Sequence, residues 1–205
     1  MNHKEEKFWD ALRTYMYGVT AAGPYVEKAL TGKGDTGDAL ASLRQLKREC
    51  RNQKEVVMSR MYKAYSKPIT LDAAKGFIDR AYTIIDQLTS LLDLLDTIQL
   101  GGKPEEVEPL SSLVACSLLE IQKCMEYTTD CQANGPKMEA RCRRIYAYEE
   151  RGDEYIRSSW QYLYGKNQDP MALLYWKDIL SHLEKVLDSA AGMADPLWRL
   201  ALDAE

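Results

Sequence analysis

Gln87-Leu88-Thr89-Ser90-Leu91-Leu92-Asp93-Leu94-Leu95-Asp96-Thr97-Ile98 places apolar residues at 88, 91, 92, 95 and 98. Steps of three and four line one face of a helix, whereas a half-buried strand would alternate. The same spacing recurs along almost all of the 205 residues, so an all-helical protein is expected. Gly and Pro clusters punctuate the pattern at Gly32 to Gly37, Ser66 to Pro68, Gly101 to Pro104, Asn134 to Pro136 and Gly165 to Pro170. Six helices remain between these breaks. Each would span about 25 to 30 residues, or roughly 40 Å, and short loops make sequential neighbours antiparallel. Gly18 and Gly23-Pro24 predict a kink in the first helix, because proline removes an internal hydrogen bond.

An apolar content of 45% is enough for a packed core and excludes a disordered chain. Twenty-seven basic residues against 31 acidic ones give a net charge of -4, so there is no general attraction to nucleic acid or an anionic membrane. The five cysteines form no CxxC and there are two histidines, so a zinc ribbon and a thioredoxin-like centre are excluded. Cys116, Cys124 and Cys131, spaced by eight and seven, are expected near one face of the fourth helix as core packing, with redox sensing the weaker alternative. The amphipathic first residues lack a leader's apolar region, and no stretch approaches about 20 uncharged apolar residues. A cytoplasmic protein without a transmembrane segment is expected.

A second regularity lies at long range. Prolines 68 and 170 each open a third helix, and their offset of 102 residues pairs Leu71 with Leu173, Lys75 with Lys177, Asp86 with Asp188 and Asp93 with Asp195. The chain therefore reads as two tandem three-helix bundles, residues 1-101 and 102-205, joined at Gly101 to Pro104 in one compact unit. The acidic pairs Glu149 with Asp153 and Glu184 with Asp188 each put two carboxylates one turn apart on one helical face. On adjacent antiparallel helices the four would converge as hard oxygen donors for iron(III), manganese, magnesium or calcium, and less specifically zinc. The plain alternative is a solvated acidic face, since such spacings are abundant on long helices. Asp195 is a further candidate ligand or the end of the last helix before Pro196. His182, four residues after Asp178, suits a helical surface pair, or less readily an outer ligand.

At the first-half counterparts stand Lys47, Arg51, Tyr82 and Asp86. Cations cannot ligate a metal, so Asp86 is expected to pair with Lys47 or Arg51 and to cross-link its helices without an ion. Lys47 and Arg51 could instead hold phosphate, although the nearby Arg48 and Lys54 favour a solvated basic face. Neither histidine has a glutamate three positions before it, which excludes a ferritin-like di-iron site. No phosphate loop, nucleophile elbow or dinucleotide fingerprint is present, and a non-enzymatic role is expected.

Asp169-Pro170-Met171-Ala172-Leu173-Leu174-Tyr175-Trp176-Lys177-Asp178-Ile179, followed by Leu183 to Asp188 and Ala194-Asp195, resembles the last helix of the PhoU-like accessory proteins of Pit-type inorganic phosphate transporters. Tyr148-Glu149-Glu150-Arg151-Gly152-Asp153 is similar to that family's penultimate acidic motif. Lys67-Pro68-Ile69-Thr70 stands where the family carries threonine-proline-isoleucine-aspartate, with Thr70 replacing the acid. The resemblance covers nearly the whole chain in helix order and is specific from about Tyr148 onward. It implies a PhoU-like fold and a regulator of phosphate transport acting on a Pit-type transporter or its regulatory machinery. It also implies metal, taken here as iron, manganese or zinc, at Glu149, Asp153, Glu184 and Asp188. A partner-mediated place at the inner face of the membrane and a homodimer are compatible with the family. The competing expectation is a metal-free helical interaction module unrelated to phosphate.

Overall fold

The computed structural model describes residues 3–64, 70–98, 101–165 and 169–202, and all regular structure among them is helical. The elements are α1 (His3–Thr20), α2 (Gly23–Leu30), α3 (Thr36–Lys63), α4 (Leu71–Thr97), α5 (Val107–Tyr127), α6 (Cys131–Gly165) and α7 (Pro170–Leu202). The first two are the arms of the expected kinked first helix, so six long helices form the molecule. The kink falls at Ala21 and Ala22, with Pro24 in the first turn of α2, and α1 passes straight through Gly18.

Local chemistry sets several boundaries. The Asp35 carboxylate accepts from the Asp38 N–H at 2.9 Å and caps α3, and the Thr70 hydroxyl accepts from the Ala73 N–H at 3.2 Å to cap α4. The expected break at Ser66 to Pro68, and with it Lys67-Pro68-Ile69, lies outside the described residues. Thr70 thus supplies a cap in place of the acid. Pro170 opens α7, as its fixed φ allows.

The break expected at Asn134 to Pro136 lies earlier, between Tyr127 and Cys131. Asp130 accepts from the Ala133 N–H at 3.1 Å and starts α6 there, leaving Pro136 inside the helix close to its N-terminus, where few ladder bonds are lost. Gly102 adopts a φ of 75°, a left-handed conformation that costs glycine little, in the connection between α4 and α5. Trp176 donates to the Gly101 carbonyl at 2.9 Å and ties α7 to that connection.

Helices α4 and α7 pack against each other along a central seam, with α3 on α4, α6 on α7, and α1, α2 and α5 closing the bundle. α3 ends at Lys63 and α6 at Gly165, the 102-residue offset read from the sequence. One cluster of buried apolar side chains runs through all seven helices, including Tyr15, Leu43, Ile85, Leu118, Ile145 and Leu183. Tyr15 also donates its hydroxyl to the buried Ile78 carbonyl at 3.1 Å, so a phenol inside the core keeps a partner. Among the described residues no helix is long and apolar enough to cross a membrane.

Candidate carboxylate site and its basic counterpart

Glu149 and Asp153 project from α6, and Glu184 and Asp188 from α7. Gly152 lies between the first two and is buried. A Cβ there would stand 2.3 Å from Leu187 Cδ1, so its missing side chain lets α6 approach α7 beside the acidic pairs. Charge acts across the seam on three of the four carboxyls. Burial, then Asp153, Asp188 and Glu150, pushes the Glu149 carboxyl above its ordinary range. Burial, then Asp188 and Asp153, raises Glu184, and burial with Asp153 raises Asp188. Lys185 offsets part of the effect at Glu184. None of the four has an ion-pair partner among the described residues.

Glu149, Glu184 and Asp188 are thus raised by burial and by neighbouring carboxylates, with Asp153 acting on all three. Such a group suits a hard cation. No set of three or more His, Cys, Asp or Glu among the described residues stands in metal-holding geometry, so the proximity is electrostatic and not yet a ligand cage.

The same positions in the first half are differently filled. Lys47 Nζ lies 2.6 Å from Asp86, and the Arg51 guanidinium donates to the Tyr82 hydroxyl at 3.2 and 3.3 Å. The expected ion pair between Asp86 and a basic residue of α3 is present, with Lys47 as the partner. Side-chain exposures of 24% and 41% place that pair at the surface, where its worth is about 0 to 1 kcal/mol. Under the 102-residue offset Lys47 and Asp86 correspond to Glu149 and Asp188, while Arg51 and Tyr82 correspond to Asp153 and Glu184. The cross-helix pairs that attract in one half are the pairs that repel in the other.

Other candidates move away from the site. Tyr146 donates its hydroxyl to Asp195, and α7 runs on through Pro196, so Asp195 neither joins the four carboxylates nor ends the helix. His182 is half-buried, and its Nδ1 meets Gln87 Oε1 of α4 at 2.7 Å. Burial and then Lys185 lower its pKa, against a rise from Asp178 and Asp86. It serves the α4 and α7 seam. The three cysteines do not share one stripe: Cys116 is exposed, Cys124 is buried, and Cys131 belongs to α6. Two contributors were missed in the sequence, the Arg44 to Asp93 ion pair and Gly152. A glycine inside a helix, which costs about 1 kcal/mol against alanine, was the available signal for the second.

The solved structure of a protein from Shewanella oneidensis MR-1, described as a PhoU-like phosphate regulatory protein, superposes on this chain with a TM-score of 0.69. The match covers 95% of this chain and 97% of that one. The fold is PhoU-like. Sequence identity to that protein is 14%, so the likeness rests on helix order and packing. At the level of sequence, the chain is 19% identical over 198 residues to the UPF0111 protein YkaA of Bacillus subtilis (strain 168), covering 96% of each. No protein-family model matches the chain. Both comparisons cover at least 95% of the chain.

Proposed function

We propose that this chain is a non-enzymatic regulator of inorganic phosphate transport that acts in the cytoplasm on a Pit-type transporter or its regulatory machinery. The observation that carries the reading is the fold likeness, over nearly the whole chain, to a protein described as phosphate regulatory. In this reading Glu149, Asp153, Glu184 and Asp188 hold iron, manganese or zinc, for which their oxygen donors and unrelieved repulsion are suited. The bound ion relieves that repulsion and fixes α6 on α7, presenting one defined surface to the transporter. The first half performs the same cross-linking with Lys47 and Asp86.

The test is phosphate uptake in cells lacking the gene, complemented with the parent or with Glu149→Gln, Asp153→Asn, Glu184→Gln and Asp188→Asn combined, alongside elemental analysis of both purified proteins. Altered uptake restored by the parent alone, with stoichiometric metal in the parent and none in the folded variant, is the expected outcome. Uptake indifferent to the gene would overturn the regulatory reading and favour an interaction module unrelated to phosphate. Metal-free parent protein after reconstitution would remove the ion and leave the carboxylates as a contact surface.

A further inference from the structure

Outside the carboxylate site, α3 departs from the chain's negative balance. Arg44, Lys47, Arg48 and Arg51 fall at steps of three, four and seven and share one helical face. They line a groove of about 260 Å³ with Thr89 and Asp93 of α4. Lys54, one turn further on, lies 4.8 Å over the Tyr82 ring and pairs with Asp79 at 2.8 Å.

The charges do not balance. Asp93 answers Arg44, Asp86 answers Lys47 and Asp79 answers Lys54. Arg51 meets a neutral phenol, and Arg48 has no hydrogen-bond or ion-pair partner among the described residues. Glu49 accepts from Gln45, and Asp86 and then Glu55 act on Arg51 through charge without forming an ion pair with it. Two guanidiniums on one face thus have no ion-paired carboxylate among the described residues. Lys47 and Arg51, the phosphate pair conceivable from sequence, are not equivalent here, because Asp86 already occupies the lysine.

We propose that the groove between α3 and α4 binds a small multivalent oxyanion of the phosphate class through the Arg48 and Arg51 guanidiniums. The planar donors of arginine match a tetrahedral oxyanion's edge, and a phenol is a weak competitor for them. A free phosphate or pyrophosphate and a lipid's phosphate headgroup offer the same chemistry. The inference rests on the groove's own charge and stands whether or not the chain regulates transport.

Titration calorimetry of pyrophosphate and phosphate into the purified full chain is the test. It would be run beside sedimentation with vesicles of phosphatidylcholine alone and with added phosphatidic acid. Binding is expected to weaken about tenfold or more in Arg48→Gln with Arg51→Gln, and to fall as salt rises. Tyr82→Glu, which installs the carboxylate that the second half carries at Glu184, should also abolish binding while the chain stays folded by circular dichroism. Heat with the free anions assigns a soluble ligand, and co-sedimentation only with phosphatidic acid assigns a headgroup. No binding in either format, binding unchanged by both variants, or binding of polyglutamate in preference to every phosphate would overturn the proposal.

Discussion

Glu149, Glu184 and Asp188 have folded-state pKa values above their ordinary range, so each binds protons more readily in the folded chain than in the unfolded one. The contribution of such groups to stability is fully present below the ordinary carboxylate pKa, about 4, and is lost as pH rises through the raised values. At neutral pH their ionised forms therefore oppose folding. In chelator, the variant neutral at these three positions and Asp153 should melt higher than the parent near neutral pH. The gain should be up to about 1 kcal/mol per site after solvent screening, and should vanish towards about pH 4. Melting curves at the two pH values check both the sign and the window. Added manganese or iron should raise the parent's melting temperature and leave the variant's unchanged.

Residue spacing made the shared face of each acidic pair legible, because a step of four fixes the face of a helix whatever that helix packs against. Asp195 shows where this stops. Its attachment to Tyr146 depends on how α6 is rotated against α7, which is set by side-chain packing and not by spacing along either helix. The fate of His182 has the same origin, since Gln87 belongs to an element 95 positions away.

For the elements, glycine separates two roles that look alike in sequence. Gly152 and Gly76 both lie inside helices, yet a Cβ at Gly152 would lie 2.3 Å from Leu187, while one at Gly76 would meet nothing within 4 Å. Alanine gains about 1 kcal/mol of helix propensity at either site, but overpacking of a filled interface costs about 1 to 3. Gly76→Ala should therefore stabilise by about 0.5 to 1 kcal/mol, and Gly152→Ala should destabilise by up to about 2. Urea denaturation midpoints of the two variants, measured at constant slope, provide the comparison. Helix period and turn residues revealed the number and order of helices, because those depend on local chemistry. They misplaced the start of α6, where the Asp130 cap three residues before Ala133 took precedence over the later Pro136.

In the whole molecule, the packing of α4 on α7 joins the halves through one continuous apolar cluster. A shared core should unfold as a unit. Trp9 reports from the first half, and Trp160, Trp176 and Trp198 report from the second. Unfolding followed by Trp9 alone, with the others replaced by Phe, should coincide with backbone circular dichroism of that same variant. A second step in either signal would show that the halves melt separately. The 102-residue offset and one compact unit were both readable in the sequence, but that α4 and α7 form the central seam depends on packing between distant segments and was not.

The contrast between Lys47 with Asp86 and Glu149 with Asp188 makes the molecule mechanically lopsided. One fastener is built from the chain itself, a surface ion pair that needs no bound ion and weakens as salt rises. Its counterpart carries like charges that raise the carboxyl pKa values there, so protonation eases the repulsion. Mild acid is therefore expected to ease the contact of α6 with α7, while the pair between α3 and α4 answers instead to salt, so the two sides of the molecule are tuned to different features of their surroundings.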